Sequence, residues 1–432
     1  MSEPLDPPLV PEPADHDVAT PEAARGEERA ALLRHQDFRK LWLGQAISEI
    51  GDGLTGLTLL VVVHERTGSA AALGTLMVLT SLPQLAIGLH AGVFVDRWNR
   101  QRVLVVGDLV RAVLVAGLVV VVAGGPLWLL YALAVGQAAA GVFFEPARSA
   151  LLPRLVPPEL LLGANSILQT TRIVGGVLGA ALAGLLLALP SGAMVAFSLD
   201  AVSFLASAAA IASLASPPPA PAPDAIEPTH RAALMVGMRF LFGSRLLVGL
   251  LLTFSITVLG IGAVGVLFVP FVLGELGAPI AALGIIRAAQ VVGMVVTGAV
   301  VAGASKRVEP HRLLMLGMLG LGLSLALTAT VQSWLVLLPL LVLAGAWAST
   351  IQSSSATLLQ QGAPDALRGR IESALDTLLT LVTMVGVGGA GALADRVGTR
   401  PTFLIAGALT LVGGLVAHFA LRNTSSADSS AE

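Results

Sequence analysis

The stretch GVFVDRWNRQR, residues 92–102, packs one acid and three arginines into eleven residues where two largely apolar runs, 71–94 and 103–123, meet. A helix of about 20 apolar residues crosses a hydrocarbon core of about 30 Å, so a charge-dense word between two such runs reads as a loop joining two membrane spans. Runs of this length recur along the chain and place spans at 41–63, 71–94, 103–123, 127–147, 162–188, 192–214, 246–273, 280–303, 312–331, 334–357, 371–393 and 402–421. Of the 432 residues 55% are hydrophobic and only 12% charged, whereas an average soluble domain carries about a quarter charged residues. The expected fold class is an all-α membrane protein of twelve transmembrane helices. Cysteine is absent, so neither a disulfide framework nor a thiolate metal site is expected, and a formal charge of −2 offers nothing to nucleic acid.

Outside the spans, Pro4 to Glu28 is rich in proline and acids and lacks the apolar region of a signal peptide, so residues 1–40 read as an uncleaved, disordered cytoplasmic tail. The segment SPPPAPAPDAIEPTH, 216–230, is the one Pro-rich break inside the chain. It divides the spans six and six. The expected domains are thus a first six-helix bundle over 41–214, a cytoplasmic linker over 215–245, a second bundle over 246–421 and a cytoplasmic tail over 422–432.

Basic residues near span ends are retained on the cytoplasmic side. With the N-terminus inside, nineteen of the 25 Lys and Arg fall on that side, three (Arg66, Arg396 and Arg400) on the other, and three (Arg111, Arg172 and Arg287) within spans. GVFVDRWNRQR then faces the cytoplasm, in a multi-pass protein of the cell inner membrane with both termini inside.

The halves also share sequence words. AALG at 71–74 recurs as AALG at 281–284, Trp128 in PLWLLY meets Trp334 in QSWLVL, and VPPELLLG at 156–163 meets GAPDALRG at 362–369. The offsets agree within four residues, which points to an internal repeat: two six-helix, pseudo-symmetric bundles with a substrate site between them.

Twelve spans, the central linker and Gly92-x-x-x-Asp96-Arg97-x-x-Arg100-x-Arg102 together resemble the major facilitator superfamily. FRKLWLGQAISEIGD (38–52), DLVRA (108–112), FFEPARSALLPRLVP (143–157) and LRGRIES (367–373) are similar to its drug:proton antiporter branch, which includes macrolide-efflux and siderophore exporters. RIVGGVLGAALAG in the fifth span resembles that branch's glycine-rich antiporter motif, with Ala180 where the motif has proline. The resemblance implies that 92–102 is a cytoplasmic gate latch. Asp96 at the end of span 2 would meet the positive N-terminal end of the helix after the Arg368–Arg370 loop, a contact of about 0.3–1 kcal/mol when exposed. Arg97, Arg100 and Arg102 would pair with acids at neighbouring helix ends, Glu145 first. The matching loop of the second half, GASKRVEPHR, keeps basic residues but has no Asp.

A charge in mid-span costs about 2.5–3.5 kcal/mol and asks for a partner, a wet cavity or a function. Glu49 and Asp52, three apart on span 1, share a helical face near the midplane with Gln45 and Ser48. Two carboxylates that close cannot both ionise cheaply at low dielectric, which makes them the proton-coupling candidates, with Arg172 in span 5 as counter-ion. Asp108 and Arg111 are expected to pair within span 3. Arg287, Asp200 and Asp376 are further buried charges, and Asp376 with Glu372 is alternatively a helix cap. Phe143, Phe144, Phe254, Phe268 and Phe271 are available to line a cavity.

The resulting expectation is a monomeric proton-antiporting exporter of a hydrophobic or amphiphilic small molecule, with no cofactor and no metal. A proton-coupled importer and a non-transporting receptor or scaffold stand beside it. An enzyme is disfavoured because the seven His are scattered and neither G-x-S-x-G nor H-E-x-x-H occurs.

Overall fold

The computed structural model describes residues 31–215, 230–304, 308–364 and 367–422. The Pro- and acid-rich tail up to residue 30, linker residues 216–229, Lys306, Arg307, Asp365, the tail from 423 and the side chain of Asp96 lie outside the described residues. Each expected span is a helix: α1 Gln36–Thr67, α2 Ala70–Arg97, α3 Arg100–Val122, α4 Leu127–Gly141, α5 Leu161–Leu187 and α6 Gly192–Ala212 in the first half. The second half has α7 Arg245–Val269, α8 Ala281–Ala304, α9 Pro310–Thr328, α10 Trp334–Gly362, α11 Arg368–Val397 and α12 Thr399–Arg422.

Two spans differ in detail from expectation, both through proline. The fourth stops at Gly141, and a separate short helix, Phe144–Leu151, carries Glu145 and Pro146. Pro146 has no N–H to give, and its ring would crowd the carbonyl four residues back, so the ladder breaks just before it. The seventh gives way at Pro270 to a single π-helical turn, Pro270–Glu275.

The repeat words sit at equivalent places. Ala71–Gly74 lies in the first turn of α2 and Ala281–Gly284 in the first turn of α8, while Trp128 and Trp334 open α4 and α10. Both word-final glycines bring the halves together. A Cβ on Gly74 would stand 3.0 Å from the Val387 carbonyl oxygen of α11, and one on Gly284 would stand 2.6 Å from Ala181 Cα of α5.

The apolar core shows how the halves meet. At the end of the bundle away from the termini, one continuous cluster includes Leu73 and Leu118 of the first half together with Leu283, Val387 and Phe403 of the second. At the terminal end the core splits into two clusters, one around Phe38, Leu104 and Leu168, the other around Leu241, Leu314 and Ile371. Between α2 and α11 that end opens into a polar cleft of about 200 Å³, lined by Gln84 and Gly88 facing Ser373, Asp376, Thr377 and Thr380. The seam is shut on one side and parted on the other.

Candidate functional site

The charged centre lies inside the first half, where α1, α3 and α6 pack together. Gly51 makes the approach possible. A Cβ there would stand 2.1 Å from Asp200 Oδ1 and 2.2 Å from Ser203 Oγ, so the α1 backbone at Gly51 occupies the space beside the Asp200 carboxylate. Asp200 is fully buried and accepts from Thr55 Oγ1 at 2.5 Å and from Ser203 Oγ at 3.0 Å. One residue beyond Gly51, Asp52 Oδ1 accepts from Arg111 Nη2 at 2.5 Å. The Arg111 guanidinium also lies over the Phe204 ring, 4.1 Å from its centroid. Asp108 is fully buried one turn from Arg111, with the Ser207 hydroxyl as its neighbouring donor.

Three carboxylates therefore gather around one guanidinium. A single Arg cannot neutralise all of them in a low-dielectric interior, and such a cluster is suited to taking up and releasing a proton. Asp52 is its opening: its side chain is 32% exposed, against 13% for Arg111 and full burial for Asp108 and Asp200.

Several sequence expectations change here. Asp108 and Arg111 do not form an intrahelical pair, because Arg111 reaches across to α1 instead. Glu145 does not serve Arg97, Arg100 or Arg102. It pairs with Arg148 on its own short helix, and Arg148 Nη1 also donates to Gln45 Oε1 at 3.3 Å. Arg100 donates to the Trp98 carbonyl at 3.3 Å, while Asn99 caps α3 by accepting from the Arg102 N–H at 3.1 Å. Gly92 and Arg97 fall in the last two turns of α2, at the terminal end as expected.

Glu49 lies at the edge of the cluster, one turn before Asp52, where its turn of α1 is pressed against α5. A Cβ on Gly175 would lie 2.8 Å from Glu49 Cβ, and one on Gly179 would lie 2.0 Å from the Ile50 carbonyl oxygen. The glycine-rich stretch thus seats α5 directly on the acidic turn of α1. Asp52, Arg172, Arg111 and Arg148 are its charged neighbours, and Arg172 itself is exposed. Trp42 Nε1 donates to Thr171 Oγ1 at 2.8 Å and fixes α1 to α5 beside it.

The second half carries less charge at depth. Arg287 lies over the Phe268 ring, 4.2 Å from its centroid. Phe268 and Phe271 are buried in the core, Phe271 against Phe403 at 5.0 Å, so these two rings do not line an open cavity. Asp376 faces the polar cleft beside Gln84 and does not cap the first turn of α11.

The sequence reading missed Thr55, whose hydroxyl has no signature in an apolar run, and Asp395. The latter had a signal. Gly391-Ala-Leu-Ala-Asp395-Arg396 repeats the spacing of Gly92-Val-Phe-Val-Asp96-Arg97. Asp395 ends α11 on the side away from the termini, where it accepts from Ser69 Oγ and from the backbone of Ala70. Arg66 and Arg400, two of the three basic residues on that side, are held by helix ends: Arg66 donates to the Val121 and Gly125 carbonyls at 2.7 and 2.9 Å, Arg400 to those of Ala329 and Val331 at 2.7 and 2.8 Å.

Comparison with known proteins agrees with this architecture. The chain is 23% identical to macrolide efflux protein A of Streptococcus pyogenes over 387 residues, covering 88% of this chain and 94% of that protein. It is 28% identical to the enterobactin exporter EntS of Escherichia coli over 395 residues, covering 88% and 92%. Among solved structures, the nucleoside transporter NupG superposes with a TM-score of 0.74 at 12% identity, covering 89% of this chain and 99% of that one. A bacterial homologue of the lysosomal transporter Spinster, inward-facing and unoccupied, gives 0.72 at 14%, covering 90% and 97%. The model of a family described as transmembrane secretion effector matches residues 28–432. The chain belongs to that family, and with it to the major facilitator superfamily of membrane transporters.

Proposed function

We propose that this transporter is an exporter of a hydrophobic or amphiphilic small molecule, working by proton antiport and alternating access, with the terminal side in the cytoplasm. Export is favoured by its likeness to a macrolide efflux protein and an enterobactin exporter. The observation that carries proton coupling is the surplus of carboxylates around Arg111, reached from outside the cluster through Asp52. A proton arriving at Asp52 loosens its hold on Arg111, and the freed guanidinium turns to Asp108 or Asp200. Charge thereby moves within the first half without leaving it. One proton crossing 100 mV supplies about 2.3 kcal/mol, close to fifty-fold accumulation. The terminal side carries most of the basic residues, which is the bias expected of a cytoplasmic face.

The test uses inverted vesicles energised by respiration and a panel of lipophilic cations, macrolides and siderophores. Wild-type vesicles should accumulate at least one of them and lose it when the proton gradient is collapsed. Asp52→Asn should fold and bind but give no uphill accumulation. Wild-type pumping by that variant would remove Asp52 from the coupling step. Accumulation in right-side-out vesicles would instead favour import.

A further inference from the structure

The α2 and α11 helices run antiparallel across the seam, so the C-terminus of each lies on the same side of the bundle as the N-terminus of the other. Both end on Gly-x-x-x-Asp-Arg, at Gly92–Arg97 and Gly391–Arg396, and these two words lie at opposite sides of the bundle. On the shut side the contact is made in full. Asp395 Oδ2 accepts from Ser69 Oγ at 2.5 Å and from Ala71 N at 3.2 Å, and Oδ1 accepts from Ala70 N at 2.8 Å. Ser69 is the N-cap of α2, so a carboxylate from the second half satisfies the first-turn donors of a helix in the first half. Gly391 brings the helices close enough. A Cβ there would stand 2.6 Å from the Ala70 carbonyl oxygen.

The latch also has firm mounts on both halves. Just past Asp395, Thr399 Oγ1 and Arg400 Nε bind Glu275 at 2.7 and 3.2 Å, tying the α11–α12 turn to the π-helical turn that follows α7. Just before Ser69, Thr67 Oγ1 donates to the Val63 carbonyl at 2.7 Å and accepts from Ser69 N–H at 3.2 Å. On the parted side, Leu367 at the N-cap of α11 offers no side-chain acceptor to that helix.

We propose that Asp395 is a gate residue: by capping α2 across the seam it holds shut the side away from the termini, as the counterpart of Asp96 at the other end of the same helix pair. The two latches engage in turn. Rocking that closes the terminal side draws Asp395 away from Ser69. This rests on the alternating-access reading and adds to it the residue that keeps the outer door closed.

Because the native chain has no cysteine, spin labels can be placed freely. One pair, Glu159→Cys with Gln361→Cys, reports the terminal side, and another, Leu189→Cys with Gln332→Cys, reports the opposite side. In lipid nanodiscs the wild-type background should favour a short 189–332 distance. Asp395→Ala should shift the ratio of shut to open forms on that side about tenfold toward open, with the 159–361 distance shortening in step. Ser69→Ala, which keeps the two backbone donors, should shift it about threefold in the same direction. Arg396→Ala should leave the ratio unchanged. Two wild-type populations whose ratio neither Asp395→Ala nor Ser69→Ala alters would overturn the latch and leave alternating access standing. A single invariant population in every variant would overturn both.

Discussion

Arg111 has one well-placed partner and two acids close behind it. Its bond to Asp52 is mostly buried and opens only on the Asp52 side, its aromatic contact to Phe204 is buried, and Asp108 and Asp200 depend on it for countercharge. Removing one partner of a buried pair leaves the rest uncompensated, at a cost of about 3–5 kcal/mol. Arg111→Gln is therefore expected to lower the melting temperature in detergent strongly, and Arg111→Gln combined with Asp52→Asn to recover part of the loss. A double variant no better than the single one would show that the pair is not coupled. The sequence made each of these charges visible as an anomaly in an apolar helix, but not their pairing. Asp108 and Arg111 stand three apart and looked like each other's partners, whereas Arg111 bridges to Asp52, 59 residues earlier. Periodicity reports which residues share a helical face. It does not report which helix that face meets.

The helices themselves were legible in number and place, with ends within about six residues of those observed, because a lipid-crossing run has a fixed minimum length and polar ends. The two breaks at Pro146 and Pro270 were equally present in the sequence, yet hydropathy alone runs through them. Small residues carry what remains of the packing: Gly51 against α6, Gly175 and Gly179 against α1, Gly74 and Gly284 across the seam. Of these Gly51 is the most sensitive to test, since added bulk meets Asp200 and Ser203 directly. Gly51→Ala should push α1 from α6 and destabilise by about 1–3 kcal/mol, with substrate transport falling further than stability alone predicts. A variant with unchanged melting and unchanged flux would mean that the helices are not as tightly set there. The glycine spacing in α5 was readable as close packing, but its target, the acidic turn of α1, was not.

At the scale of the whole molecule, the duplication inferred from AALG and the paired tryptophans survives as geometry, with both word-final glycines on the seam. The second Gly-x-x-x-Asp-Arg word escaped notice because it repeats across an inverted relation, from α2 to α11, and not at the constant offset that a tandem duplication leaves. Orientation can be checked on the same cysteine-free background. In intact cells Gln332→Cys should react with a membrane-impermeant maleimide, and Gln361→Cys only after the membrane is opened. The reverse pattern would invert the topology.

The seam is chemically lopsided. Where it is shut it is built from Leu73, Leu283, Val387 and their neighbours, and where it is parted its walls are Gln84, Ser373, Asp376 and Thr377. Exchanging one closure for the other thus trades a greasy contact for a hydrophilic one, and the exchange carries a positive heat-capacity change. Its equilibrium constant will follow a curved van 't Hoff line, with the greasy closure losing strength in the cold. A cell that grows across a range of temperatures would find the resting posture of this transporter set in part by its thermometer.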